Sequence, residues 1–147
     1  MIINTRRSSN SAIRIREGES TPEQISLMLV NLPLDITFVD ENDKVKFYFV
    51  SKDRIFPRSP EIIGRSVQNC HPHKSVHIVE ENIRRFKEKT KDRGEFWIQR
   101  EGLFVHIRYF PVYHGKGDYK GTIEVSQEMS AIRTLDGERR ILDWKQE

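Results

Sequence analysis

The sequence predicts an α+β domain: a five-stranded, mainly antiparallel sheet with a helical crossover and with helices flanking the sheet at the N- and C-terminal ends. Three observations support this prediction. Two β-rich segments flank a short polar turn near residue 42, an amphipathic helical pattern begins at Ser75, and three further β-rich segments lie between residues 95 and 127. There is no internal repeat and no regular alternation of strands and helices, so a parallel α/β fold is not expected.

Composition indicates a single globular domain. The chain has 147 residues, of which 36% are hydrophobic and 32% charged, enough to bury a core. No apolar run approaches the roughly 20 residues that span a bilayer, and the first residues lack the apolar centre of a signal peptide. The single cysteine has no partner for an internal disulfide. We therefore expect a cytoplasmic protein with no membrane partner.

Residues 1–20 are polar and basic, with Arg6, Arg7, Arg14 and Arg16 among them. No sustained hydrophobic period runs through them, so we expect a flexible basic arm ahead of a domain that spans residues 21–147. The formal net charge is only +3. A nucleic-acid partner is therefore not favoured.

The first ordered elements are expected to be a helix and a hairpin. Thr21 is placed to cap the helix with Pro22 at its first position, and Pro33 follows its end. The segments DITFVD and KVKFYFV then flank a turn at residues 41–43. They predict two antiparallel strands, in which Ile36 and Phe38 share one face that we expect to line the core.

The middle of the chain is expected to be an irregular crossover followed by a long helix. Residues 51–66 contain two prolines and a glycine, which favours short helical turns. From Ser75 the apolar positions Val76, Val79, Ile83 and Phe86 recur at helical spacing. They predict one buried stripe on that helix.

Three strands and a final helix are expected to complete the domain. The strand segments read EFWIQ, LFVHIRYFPVY and YKGTIEVSQ. Alternation along them predicts an inner set of residues that face the core and an outer set that needs cover, with Trp97 on the outer face. The tail MSAIRTLDGERRILDW has a helical apolar pattern, which Gly137 weakens by about 1 kcal/mol. The inner set comprises Phe96, Ile98, Leu103, Val105, Ile107 and Tyr109.

This order of elements, with these residues, resembles a PAS domain over roughly residues 22–143. LPLDITFVDENDKVKFYFV is similar to the opening hairpin of that family, and PEIIGRS at residues 60–66 is similar to the turn before its long helix. NCHPHKSVHIVE, FVHIRYFPVY and GERRILDW resemble an uncharacterised PAS-like subfamily often found C-terminal to a hemerythrin-like domain. Members of that subfamily usually read Cys-His-Pro-Pro, and here His73 replaces the second proline.

The resemblance implies a module that senses a small molecule or a redox state and that forms a homodimer. A ligand would lie between the sheet and the crossover, against Cys70, His71, Phe38, Ile107 and Tyr109. The helix expected at the C-terminal end would pass the signal to a partner signalling protein.

Residues 70–77 carry the only cysteine and three of the five histidines. His73 and His77 are four residues apart, so on a helix they could share a divalent metal, with Glu80 or Glu81 one turn further. Cys70 could supply a thiolate or respond reversibly to oxidation. A metal is not favoured, because no second spaced pair of ligands occurs elsewhere in the sequence.

Haem is the other cofactor considered for this segment, since some oxygen-sensing PAS domains hold haem through a histidine early on the long helix. His77 has a comparable position, but the residues three, four and seven positions later are Glu80, Glu81 and Arg84. The apolar stripe therefore turns His77 towards solvent, and haem is not favoured.

A structural role remains open for the same segment. Cys70 could be a small buried apolar residue, His71 could hydrogen-bond the backbone across the crossover, and Pro72 could start the helix.

The sequence thus favours a cytoplasmic PAS-type sensor or interaction module. The alternative is a metal- or haem-binding redox protein that uses residues 70–77. An enzyme is not expected, because neither a paired acid and base nor a phosphate-binding loop is recognisable.

Overall fold

The computed structural model describes residues 11–50, 52, 55–142 and 144. Its centre is a five-stranded antiparallel sheet, which confirms the predicted fold class. The five strands are β3 (Asp35–Asp40), β4 (Val45–Phe49), β5 (Gly94–Arg100), β6 (Leu103–Tyr113) and β7 (Tyr119–Glu128). They lie in the order β4-β3-β7-β6-β5. Two helices accompany them, α1 (Pro22–Asn31) and α2 (His73–Lys87).

The β3–β4 hairpin forms where the sequence predicts it. Asp40 closes the turn, because its carboxylate Oδ1 accepts hydrogen bonds from the backbone amides of Asn42 at 2.9 Å and Lys44 at 3.0 Å. Asp43 has a φ of 61°, a left-handed conformation that Asp tolerates better than most residues. The hairpin brings β3 beside β7, so the first and last strands of the sheet unit are neighbours.

The two faces of β3 are opposite to the sequence expectation. Val39 is buried in a core cluster with Val45, Val67 and Ile83. Ile36 and Phe38 therefore lie on the outer face, since side chains alternate along a strand. There the ring of Phe38 stacks on that of Phe47 with 5.3 Å between centroids. The expectation that Ile36 and Phe38 face the core is wrong, because both faces of β3 carry apolar residues.

Helix α2 packs its predicted stripe against the sheet and the crossover. Ile83 and Phe86 are buried, and Val79 packs against the core cluster. The hydroxyl of Tyr113 on β6 donates a hydrogen bond of 2.5 Å to the carbonyl of Phe86. Helix α2 is thereby anchored to the sheet near its C-terminal end.

The crossover between β4 and α2 is irregular, as predicted. Two 3-10 turns, Pro60–Ile62 and Val67–Cys70, are its regular parts among the described residues. Val45 on β4 makes two backbone hydrogen bonds to the crossover. Its amide donates to the carbonyl of Arg65 at 3.0 Å, and its carbonyl accepts from the amide of Gly64 at 2.7 Å. The crossover therefore packs beside the edge of the sheet.

The N-terminal segment is more ordered than expected. Strands β1 (Ile13–Ile15) and β2 (Gly18–Ser20) form a short antiparallel hairpin within the part predicted to be a flexible arm. Residues 1–10 lie outside the described residues. Helix α1 follows with Thr21 as N-cap and Pro22 in its first turn, as predicted, and none of its residues is buried.

The predicted C-terminal helix is not formed in the described part of residues 129–144. A single 3-10 turn, Ile132–Thr134, follows β7. Gly137 then has a φ of 63°, and Leu135 and Ile141 are 77% and 79% exposed. An apolar stripe without a surface to pack on adds little helix stability, and a left-handed glycine interrupts the pattern.

Among the described residues, no helix is both long and apolar enough to cross a membrane.

Candidate functional site

A cavity lies between the inner face of the sheet, helix α2 and the crossover. It has a small inner chamber of about 70 Å³ and a wider outer groove of about 820 Å³. Seven residues line both parts and form the junction between them: Arg58, Cys70, His71, Val79, Asn82, Tyr109 and Glu124. The crossover, α2, β6 and β7 all meet at this junction.

The inner chamber belongs to the hydrophobic core. Its further lining consists of Thr37, Val39, Val45, Ile62, Val67, Ile83 and Thr122. Val39, Val45, Val67 and Ile83 are buried. The chamber is therefore a small gap in the packed core, with room for only a few atoms of a ligand.

The outer groove has aromatic and aliphatic walls. The rings of Phe96 and Tyr109 stack at 6.1 Å with an angle of 22° between their planes. Ile98 and Ile107 continue this wall, and Ile78 from α2 faces it across the groove. The volume of the groove and its apolar walls suit a small organic molecule.

An ion pair crosses the junction. The guanidinium Nη2 of Arg58 in the crossover lies 2.8 Å from the carboxylate Oε1 of Glu124 on β7. The two side chains are 27% and 15% exposed, so the pair is only partly screened by water. Burial, together with the neighbouring Glu124 carboxylate, raises the pKa of Tyr109 above its ordinary value. The Tyr109 hydroxyl is therefore neutral over the physiological range.

His71 and Asn82 contribute further polar groups to the junction. The Nδ1 atom of His71 lies 2.9 Å from the carbonyl oxygen of Val67, which confirms the predicted backbone hydrogen bond. The side-chain amide of Asn82 lies over Gly94, where an added Cβ would come within 3.1 Å of its Oδ1 atom. Gly94 thus leaves room for that amide at the wall of the groove.

Cys70 is a half-buried residue at the same junction. Its thiol donates a weak hydrogen bond of 3.5 Å to the carbonyl of Ser66. It packs against the core cluster that includes Val67 and Ile83. This environment agrees with the structural role that the sequence left open.

Four of the five predicted ligand-binding residues line the cavity: Cys70, His71, Ile107 and Tyr109. The fifth, Phe38, lies on the opposite face of the sheet and does not line the cavity, so its prediction as a ligand-binding residue is wrong. Sequence reasoning missed Arg58, Asn82 and Glu124. Asn82 could have been found, because it lies on the predicted apolar stripe three residues after Val79.

The predicted metal pair is not joined by a third ligand in the described part of the chain. His73 and His77 are both exposed on α2. No group of three or more His, Cys, Asp or Glu side chains is arranged to hold a metal ion among the described residues. Glu81 pairs instead with Arg84 and Arg85. A metal at His73 and His77 stays a prediction.

Comparison with known proteins gives a consistent family result. The sequence model of the PAS domain matches residues 25–130. A C-terminal domain from Streptococcus mutans is similar in structure at a TM-score of 0.82 and 31% identity, covering 87% of this chain and 99% of that one. No match was found among curated proteins.

More distant structures share the fold. A PAS domain from Colwellia psychrerythraea matches at a TM-score of 0.52 and 17% identity, over 74% of this chain and 97% of that one. The VqmA dimer of Vibrio cholerae matches at 0.55 and 18% identity, over 85% and 58% of the two chains.

Proposed function

The chain belongs to the PAS domain family, and we propose that it is a cytoplasmic sensor module that binds a small molecule in the groove between α2 and the sheet. The observation that supports this proposal is the junction itself. It joins an apolar groove of about 820 Å³ to a few polar side chains from four different elements. Apolar walls with a few convergent polar groups are typical of small-molecule sites.

The Arg58–Glu124 pair offers a route from ligand to signal. It ties the crossover to β7, and β7 leads directly into the C-terminal segment from residue 129. The amide of Met129 donates to the carbonyl of Phe104 at 2.8 Å, which holds the start of that segment on β6. A ligand that moves the crossover would change the balance of these contacts and thereby the position of the segment.

A ligand screen with two tryptophan variants tests the proposal. Ile78 lines the groove and is 55% exposed, so Ile78→Trp fills the groove without disturbing the core. His77→Trp places the same ring at the neighbouring exposed position. We expect thermal stabilisation by a small molecule in the wild type and in His77→Trp, and none in Ile78→Trp. Equal stabilisation of all three proteins would contradict binding in the groove.

We also propose that a second copy of the chain covers the outer face of the sheet. Trp97 is 62% exposed there, with Phe104 and Phe110 half-buried on the neighbouring strand. Such an apolar patch is favourable at an interface between copies. Trp97→Glu should yield monomers in sedimentation velocity, whereas Gln99→Glu on the same strand and face should not. A wild-type monomer at high concentration would contradict the homodimer.

The alternative function is a metal- or haem-binding redox protein. That the chain belongs to the subfamily associated with a hemerythrin-like domain also stays a prediction. An absorption spectrum with elemental analysis tests the cofactor. A Soret band or a stoichiometric metal would favour the alternative.

A further inference from the structure

We propose that the groove takes an uncharged small molecule with a flat apolar body and an amide-like edge, which His71 and Asn82 recognise together. The inference rests on the proposed function, because it names a ligand class for the same cavity. Both residues line the inner chamber as well as the outer groove. Both residues therefore lie at the junction between the two parts of the cavity, where a ligand could reach them.

His71 provides a hydrogen-bond acceptor. The carbonyl of Val67 can only accept, so the Nδ1 atom of His71 at 2.9 Å must carry the proton. In the neutral ring the lone pair is then on Nε2, and the backbone bond holds the ring in place. A ligand N–H or O–H group is the complementary partner.

Asn82 provides both a donor and an acceptor. Its side-chain amide has no hydrogen-bond partner among the described residues, and the residue is only partly exposed. Because Asn82 lines the outer groove, its amide is available to a ligand there. A ligand that has a carbonyl next to its N–H could bond Asn82 and His71 at once.

The charges at the junction disfavour an ionised ligand. Arg58 and Glu124 compensate each other at 2.8 Å, and the largely buried Tyr109 hydroxyl near Glu124 is uncharged, because burial raises its pKa. A carboxylate or an ammonium group would have to separate this pair or be buried without a counter-ion. Arg100 also lines the outer groove, where its guanidinium lies 5.2 Å from the ring of Phe56.

The walls of the groove favour a flat ligand. Phe96 and Tyr109 present stacked rings, and Ile78 faces them from α2. A planar ring fits between an aromatic wall and an aliphatic wall with good contact on both of its faces.

Three matched probes test the inference: benzamide, benzoate and acetophenone. All three have the same ring, but benzoate is charged and acetophenone lacks the N–H donor. Dissociation constants would be measured by NMR titration of the ¹⁵N-labelled protein. We expect benzamide to bind at least about tenfold more tightly than either analogue, which is the effect of one good hydrogen bond or one avoided charge burial.

Two variants and a control locate the contact. His71→Phe and Asn82→Leu should each weaken benzamide by about tenfold, whereas His77→Phe on the exposed side should not. The wild-type His71 ring should show the Nδ1–H tautomer in ¹⁵N spectra, and its Nε2 resonance should shift with benzamide. This readout does not depend on the variants folding.

The outcomes separate the two proposals. Tightest binding of benzoate, or affinities for benzamide and acetophenone within about twofold, overturns the neutral amide class but leaves a ligand-binding groove. If no probe binds, the neutral amide class is also overturned. Small-molecule binding in the groove is then tested separately by the thermal-stabilisation screen with Ile78→Trp. Benzamide selectivity that is lost in His71→Phe and Asn82→Leu supports the inference.

Discussion

At the scale of single residues, the junction shows what alternation along a strand can and cannot predict. The sequence predicts that Ile107 and Tyr109 share the inner face with the cavity, and they do. The same reasoning wrongly predicts Phe38 on that face, because alternation tells which residues of a strand share a face but not which face is buried. When both faces are apolar, as on β3, only the packing of neighbouring elements decides.

Tyr109 makes the stability of the protein sensitive to alkali. Its pKa is raised in the folded protein by burial and by Glu124, whereas an unfolded tyrosine ionises near pH 10. The stability that this neutral hydroxyl contributes is therefore fully present below about pH 10 and is lost as the pH rises further. Above that pH the free energy of unfolding should fall by up to about 1.4 kcal/mol per pH unit from this group.

The variant Tyr109→Phe checks this expectation through urea unfolding from pH 8 to 11. We expect its stability at pH 8 to be within about 1 kcal/mol of the wild type, since the aromatic ring and its packing are kept. Its stability should then decline less steeply above pH 10. Parallel declines for the two proteins would show that Tyr109 does not carry the effect.

Gly121 is required by the close approach of β7 to β3. Its φ is 147°, and an added Cβ would lie 2.2 Å from the carbonyl oxygen of Val39 and 2.8 Å from the ring of Phe38. Gly121→Ala should therefore cost at least about 2 kcal/mol in the free energy of unfolding.

Gly115 offers the matched control for Gly121. It lies in the turn before β7, and nothing is within 4 Å of an added Cβ. Gly115→Ala should change stability by less than about 0.5 kcal/mol. A similar loss in both variants, measured by chemical denaturation, would argue against the close approach of β7 to β3.

At the scale of elements, helices were predictable where they pack and not where they do not. The stripe through Val79, Ile83 and Phe86 predicted α2, because its side chains bury themselves against the sheet. The tail after residue 128 has a similar pattern but no surface to pack on, and it forms only a 3-10 turn. The β1–β2 hairpin was missed, because three-residue strands carry too little alternation to detect.

Helix α1 depends on its cap rather than on a buried face. The Thr21 hydroxyl accepts a 3.1 Å hydrogen bond from the amide of Gln24, and the Gln24 side chain accepts one of 2.9 Å from the amide of Thr21. Thr21→Ala should therefore lower the local stability of the helix by about 1 kcal/mol.

Hydrogen exchange of the amides in residues 22–31 measures this local loss. It should appear as about fivefold faster exchange in α1 with little change in the sheet. Ser26→Ala, inside the same helix, should exchange no faster than the wild type, because alanine favours the helix interior. Equal exchange in Thr21→Ala and the wild type would mean that the cap does not hold the helix.

At the scale of the whole molecule, the order of elements and the sheet followed from the sequence, whereas the polar centre of the cavity did not. Arg58 and Glu124 are 66 positions apart, and their meeting depends on how the crossover folds back over β7. A sequence shows a charged residue in an irregular segment and another in a strand, but not that they pair. The site therefore became definable only when four elements were placed together.

The central claim is that the inner face of the sheet binds the ligand. Methyl groups report on it directly, since Ile98 and Ile107 line the groove while Ile36 and Ile123 pair with outer-face positions of the sheet. Methyl-labelled protein would be titrated with the strongest stabiliser from the screen. We predict that the signals of Ile98 and Ile107 shift, while those of Ile36 and Ile123 stay in place. Shifts confined to Ile36 and Ile123 would contradict the account.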